Sequence, residues 1–312
     1  MFRRIRPLAL LPLLLAPALA GLFACSRRID PAYVKSIDDW HAKRIKSLQG
    51  ETGWLTLVGL VPLRQGANGV GSAADADAKL IAKAPARVGT LTVAGGRYFF
   101  QAAPGVDVRV ENRAGVPSSA PVDTVTMLAD TQGDGPTTLD VGSLLFYVIA
   151  RGEKTFLRVK DRMSDVRRGF TGIERFPVDP RWRVTAKFER HDPPLKVAVP
   201  DVLGQINEED SPGTLSFTLA GHDCRLIPTG EPGGQLFIVF GDPTNGKTTY
   251  GAGRFLNADA PGPDGKVVLD FNKATNPPCA FTSFATCPLP PEGNRLPIAV
   301  EAGEKSWGSG HH

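Results

Sequence analysis

The chain has 312 residues, 36 of them basic and 32 acidic, and 42% are hydrophobic. That hydrophobic share is enough for real cores. The formal net charge is +4, but no basic stripe runs along the chain, which excludes nucleic acid as a partner.

The first 24 residues read as a secretory signal. Arg3, Arg4 and Arg6 form a positive start, and residues 8–24 are uncharged and rich in Leu and Ala. Pro12 and Pro17 interrupt the stretch, which argues against a retained membrane helix. Two processing sites compete. Ala18-Leu19-Ala20 would release a soluble protein, and Leu22-Phe23-Ala24-Cys25 resembles a lipobox with an acylated Cys25. The second is favoured, so the expected partner is a membrane, through a lipid on Cys25. The expected location is the periplasm or cell envelope. Three arginines and no acid leave with the signal, so 36 basic against 32 acidic residues becomes 33 against 32.

The remaining length suits two domains. With 34 Gly and 27 Pro, the chain favours many short strands over long helices. Cys279 and Cys287 stand eight apart in a Pro-rich stretch. In an oxidising compartment that spacing suggests a disulfide. It is not a usual zinc spacing and no His lies nearby, so no metal is expected.

In chain order, one helix is signalled first, over residues 29–50. Asp30 can cap it and Pro31 suits its first position. Val34, Ile37, His41, Ile45 and Leu48 recur at three and four, marking one buried face. Short β runs follow at 54–61, 88–93, 97–101, 106–110, 124–128, 144–150 and 155–159, separated by glycines. They define an N-terminal β domain over 51–160. A polar stretch, 160–172, joins it to a C-terminal β domain over 161–305. Its strands are expected at 182–190, 215–219, 224–227, 236–240, 251–256, 266–271 and 296–300. A long Pro/Cys loop spans 276–291, and such loops are often functional. Residues 306–312 read as a flexible tail. The expected fold is all-β: two packed sandwich- or barrel-like domains behind one N-terminal helix.

Most local motifs yield to plainer readings. Gly241-Asp242-Pro243-Thr244-Asn245-Gly246-Lys247-Thr248 fits the phosphate-loop pattern. A β-like segment follows it where a helix is needed, so it reads as a turn. Asp130-x-Gln132-x-Asp134-Gly135 opens like a calcium loop, but Val141 stands where a glutamate is required. No G-x-S-x-G or S-x-x-K is present. No cofactor is expected.

One cluster remains as a candidate site. Asp161 and Arg168 lie in the join, while Asp270, Asn272, Asn276 and Arg295 flank the Pro/Cys loop. Converging in space, Asp161 and Asp270 would act as acceptors. Arg168 and Arg295 would hold an anion, and Asn272 and Asn276 would orient it. The expected function is a cell-envelope accessory or ligand-binding lipoprotein, its partner a small-molecule or envelope ligand. A hydrolase using Asp161 or Asp270 as general base is a second reading. A structural protein, in which the cluster only braces the loop, is a third.

The same stretches resemble a known family. They are Gly53-Trp54-Leu55-Thr56-Leu57-Val58-Gly59-Leu60, then Phe240-Gly241-Asp242 through Tyr250-Gly251-Ala252-Gly253-Arg254-Phe255, and Asp270-Phe271-Asn272 with Asn276-Pro277-Pro278-Cys279-Ala280-Phe281. Cys287-Pro288-Leu289-Pro290-Pro291 and Asn294-Arg295-Leu296 complete them. Together they resemble the family catalogued as domain of unknown function 1684, over roughly residues 40–305. The resemblance implies no assigned activity, so it carries no catalytic residue over. It also implies members without export signals, for which a Cys279–Cys287 disulfide would be optional. Leu63-x-x-Gly66 with Gly71-Ser72 faintly resembles a forkhead-associated sandwich. No Arg stands beside Gly71, so phosphopeptide binding is not implied.

Overall fold

The computed structural model describes residues 29–111 and 115–308. The expected signal and the expected lipid site at Cys25 lie outside the described residues. No described helix is long and apolar enough to cross a membrane.

Helix α1 (Pro31–Leu48) forms where capping and periodicity place it. The Asp30 side chain accepts the N–H of Ala32, and Ile37 and Leu48 are buried. Tyr33 ties the helix down by donating its hydroxyl to Asp270 at 3.0 Å.

The first half builds β1 (Leu57–Leu63), β2 (Gly66–Gly71), β3 (Ala78–Lys79), β4 (Gly89–Ala94), β5 (Arg97–Ala102), β6 (Arg109–Glu111), β7 (Thr124–Met127), β8 (Thr138–Val141), β9 (Leu144–Arg151) and β10 (Lys154–Asp161). They form two open sheets, ordered β1-β10-β9-β8-β6 and β3-β2-β4-β5-β7. Both sheets turn one face to a shared core. Along β5, Tyr98 and Phe100 point inward while Arg97, Phe99 and Gln101 face water. Phe100 meets Phe146 of the opposing sheet edge to face, with centroids 5.7 Å apart. Val70, Leu91, Val93 and Met127 from one sheet and Leu139, Val148, Leu157 and Val159 from the other complete that core.

Helix α2 (Asp165–Arg168), one turn capped by Ser164, sits in the join. The second half adds β11 (Arg183–Pro200), β12 (Ile206–Leu219), β13 (His222–Leu226), β14 (Leu236–Phe240), β15 (Arg254–Ala258) and β16 (Lys266–Asp270). Sheet β13-β12-β11-β16 and the pair β14-β15 enclose a second core around Leu215, Leu226, Ile238, Phe240, Leu256, Leu269 and Phe271. Strand outweighs helix, 42% to 12%, so the fold is all-β. The sheets stay open, so they stack as sandwiches and none closes into a barrel.

Several expected boundaries move. Residues 54–56 form a 3-10 turn before β1. Residues 296–300 form no strand, and the chain there only bridges Gly241 to Arg295. Trp307, expected in the tail, packs against Phe170 and Phe281 at centroid distances of 6.0 and 5.3 Å. Cys279 and Cys287 are free, buried thiols rather than a disulfide, and the Cys279 N–H donates to the Cys287 Sγ at 3.1 Å.

Candidate functional site

The Gly241–Phe255 motif folds around one buried ion pair. Arg254 Nη2 donates to Asp242 Oδ2 at 2.7 Å, and both side chains are 0% exposed. The same nitrogen donates to the carbonyl of Val300, and Nη1 to that of Ala302. The other Asp242 oxygen accepts the N–H and hydroxyl of Thr244 and the N–H of Val300. Asn245 closes the loop by donating to Thr249 Oγ1 and the Tyr250 carbonyl. Gly253 has φ +101°, and a Cβ there would stand 2.7 Å from the Phe240 carbonyl, so only glycine fits. No helix follows Gly246-Lys247-Thr248, so the phosphate-loop geometry is absent.

The six residues expected to converge have separate duties. Asp270 accepts Tyr33 Oη on both oxygens and the backbone N–H of Asn272. Asn272 clamps Asp179, accepting its N–H at 3.0 Å and donating to its carbonyl at 2.9 Å. Asn276 donates its backbone N–H to buried Glu304 and its Nδ2 to the Lys305 carbonyl. Arg44 meets the same Glu304 at 3.3 Å. Arg295 is exposed, with its side chain over Gly241. Arg168 makes a surface pair with Asp165.

Asp161 belongs to the first half alone. It accepts from Lys83 Nζ at 2.8 Å, Ser143 Oγ at 2.7 Å and the Met163 N–H at 2.8 Å. Asp270 and Asn272 therefore meet in one network, Asn276 joins another, and Asp161, Arg168 and Arg295 join neither. The expected two-sided pocket is not assembled. Polar groups at strand ends had looked available, but a buried backbone must satisfy its own hydrogen bonds and takes them.

Burial alone would raise the Asp161 carboxyl. The bonds from Lys83, Ser143 and Met163 outweigh it and hold the group below the usual carboxylate range. A depressed carboxyl adds stability that is complete above the unfolded value, about 3.9, and is lost as pH falls through the folded value. Asp161→Asn should therefore be less stable than wild type at pH 7. In urea titrations the gap should close as pH falls from about 5 to about 2.

One cleft lies elsewhere, in the first half. It encloses about 650 Å³ and is lined by Glu51, Thr52, Glu111, Asp134, Thr138 and Arg162, among others. Antiparallel pairing of β6 with β8, and of β9 with β8 and β10, brings Glu111, Thr138 and the residue after β10 together. Arg162 crosses the floor, 3.0 Å from Glu111 and from Asp140, and 3.8 Å from Glu51. Behind the wall, Lys160 Nζ donates to the Thr52 carbonyl at 2.6 Å and stacks near Trp54 and Tyr147. Burial, helped by the charge of Arg158, pushes the Lys160 amine down to about 8. Arg162 lies in the polar stretch 160–172, in the turn that follows β10. Among the described residues, no group of three or more His, Cys, Asp or Glu could hold a metal ion.

Two open-sheet sandwiches joined by a short polar turn, with a motif folded on a buried Arg–Asp pair, define an all-β protein. Residues 168–305 match the model of a family described as protein of unknown function (DUF1684), and the chain belongs to that family. It is also similar to an uncharacterized protein of Haloarcula marismortui with a solution NMR structure. The two are 35% identical over 45% of this chain and 78% of that one, with a TM-score of 0.38. No curated protein matches the chain.

Proposed function

We propose that this is an exported, lipid-anchored envelope protein that binds a small amine-bearing solute in the Arg162 cleft. Export and anchoring rest on the positive start, the apolar run and Cys25. The charge of the cleft carries the ligand reading. Among the described residues, its lining includes the carboxylates of Glu51 and Glu111 and the guanidinium of Arg162. Arg162 already spends its charge on Glu111 and Asp140. With that charge engaged, an ammonium group would find an acceptor in Glu51, in a walled cleft that focuses its field. Glu51, 70% exposed at its side chain, stands at the mouth. The Asp161 and Asp270 carboxylates already accept hydrogen bonds from the chain, so the hydrolase reading draws no support from them.

Titration calorimetry with spermidine, ethanolamine and glucosamine tests the reading. Binding by at least one amine is expected, weakening with added salt. The Glu51→Gln/Glu111→Gln double variant should bind at least about tenfold more weakly. Stabilisation by sugar phosphates or neutral sugars, with none by amines, would sink it. Cys25→Ala should move the full chain from the membrane fraction to the soluble fraction.

A further inference from the structure

The second half keeps an apolar hollow open beside its Pro/Cys loop. The hollow encloses about 120 Å³, between Val199 of β11, Ile227 after β13, Phe237 and Val239 of β14, and Pro288 and Pro291 of the loop. Backbone bonds tie these walls to one another. Leu289 donates its N–H to the Pro200 carbonyl at 2.8 Å, and Val202 donates to that of Cys287 at 3.1 Å, which fastens the loop to the end of β11. Thr229, also in the lining, exchanges both backbone bonds with Phe237, at 2.8 and 2.9 Å. The Phe237 ring stands edge to face with Phe255, centroids 4.9 Å apart. At the floor Asn294, 0% exposed, accepts the Ile227 N–H at 2.7 Å and donates Nδ2 to the carbonyls of Ile227 and Val239. The hollow is therefore preformed, and a guest enters it without reordering its walls.

Size and charge define the guest. Close-packed interiors leave few voids of this size, and an apolar cavity of about 150 Å³ holds a benzene ring. This hollow accordingly seats one ring or one branched alkyl group and no fused system. Both ends of the Asn294 amide are engaged by the chain, so the floor is apolar in effect. Among the described residues, Glu209 of β12 is the one charged group in the lining. It pairs across the ladder with buried Val197, and so lies on the strand face that turns toward the hollow. Its neighbours Glu208 and Asp210 fall on the opposite face, where Asp210 meets Lys196 at 2.8 Å. Glu209 itself makes no hydrogen bond or ion pair with a described residue. Its carboxylate stands exposed at the mouth, over an apolar seat.

We propose that the hollow binds small organic ammonium ions that carry one compact apolar group on a short chain. The apolar group rests on Phe237, Val239 and the two prolines, and the ammonium meets Glu209. Spermidine, ethanolamine and glucosamine lack that apolar group, so this selectivity differs from that of the Arg162 cleft. The hollow lies in the other half of the chain and does not depend on what binds in the cleft.

The probe is 2-phenylethylamine, followed on the full chain by saturation-transfer NMR and titration calorimetry. Its neutral isostere 2-phenylethanol and the anion phenylacetate separate ring from charge, and ethylamine supplies charge without a ring. The phenyl amine should bind, the alcohol at least about threefold more weakly, and phenylacetate more weakly still. Ethylamine at equal concentration should not displace the phenyl amine. Glu209→Gln, at an exposed position, should bring the amine down to the affinity of the alcohol and leave the alcohol unchanged. Thr229→Phe places a ring in the hollow and should abolish binding of both. Its backbone bonds to Phe237 remain available, and thermal unfolding confirms that the variant is folded. Binding of phenylacetate as tight as that of the amine would overturn the site. So would an affinity lost in Glu51→Gln and kept in Glu209→Gln, which would assign the amine to the Arg162 cleft instead.

Discussion

Arg254→Met should lower stability by about 3–5 kcal/mol, because it strands the Asp242 carboxylate in the second core without its charge partner. Both side chains are fully buried, and the Arg254 head also holds the carbonyls of Val300 and Ala302. The loss therefore unfastens residues 300–302 from the Gly241–Phe255 loop, beyond removing one ion pair. Methionine keeps much of the length over Phe240, where the guanidinium now sits 5.2 Å from the ring centroid, so the effect reads the charge more than the volume. Asp242→Asn/Arg254→Met removes both charges and should cost less than the two single changes added together. Urea unfolding of the four proteins at pH 7 gives the comparison. A single-variant cost below about 1 kcal/mol would place the pair among surface-like ion pairs and contradict its role as a brace.

Phe271→Ala should cost about 3–5 kcal/mol as well, through a different term. The ring is 0% exposed and lies between Phe240, 5.4 Å away and edge to face, and Phe217, at 6.0 Å. Removing it takes away buried apolar surface and leaves a cavity that two rigid strands cannot close. Phe271 also begins the 3-10 turn in which Asp270 and Asn272 hold Tyr33, so helix α1 should loosen with it. Thermal unfolding should fall by at least about 6 °C for a chain of this size. Phe99→Ala, on the solvent side of β5, should stay within about 0.5 kcal/mol of wild type.

The elements that local chemistry specifies were legible in the sequence. Asp30 and Pro31 start the helix and the Ile37–Leu48 stripe buries it, as the three-and-four spacing requires. Strand β5 shows its alternation openly. Strand β2 was hidden because its glycines read as turn residues. Gly71 serves another purpose: a Cβ there would meet the Ala86 carbonyl at 2.1 Å, so glycine permits a close backbone approach. Strand β11 was read as ending at Arg190, because Pro193 and Pro194 suggest a loop. The ladder with β12 instead slips between Arg190 and Leu195 and resumes to Pro200.

The site was harder to read, for a physical reason. Asp270, Asn272 and Asn276 stand out in the sequence, but polar residues at strand ends look alike whether they face a ligand or the chain's own backbone. Only the partners decide, and those lie far off in sequence, at Tyr33, Asp179 and Lys305. The Arg162 cleft has the converse difficulty. Glu51, Glu111, Thr138 and Arg162 form no motif, and long-range strand pairing alone assembles them. All four precede residue 168, where the family match begins.

The proposal assigns stability to the motif-rich second half and the ligand to the Arg162 cleft of the first. Calorimetric amine titration and thermal unfolding of two variants, Glu51→Gln and Asn272→Ala, test that division directly. The Glu51→Gln variant is expected to lose amine affinity and keep its midpoint, because Glu51 is largely exposed. The Asn272→Ala variant is expected to melt earlier and, while folded, to bind as wild type does. Loss of affinity in Asn272→Ala at an unchanged midpoint, with the Glu51→Gln variant still binding, would contradict it.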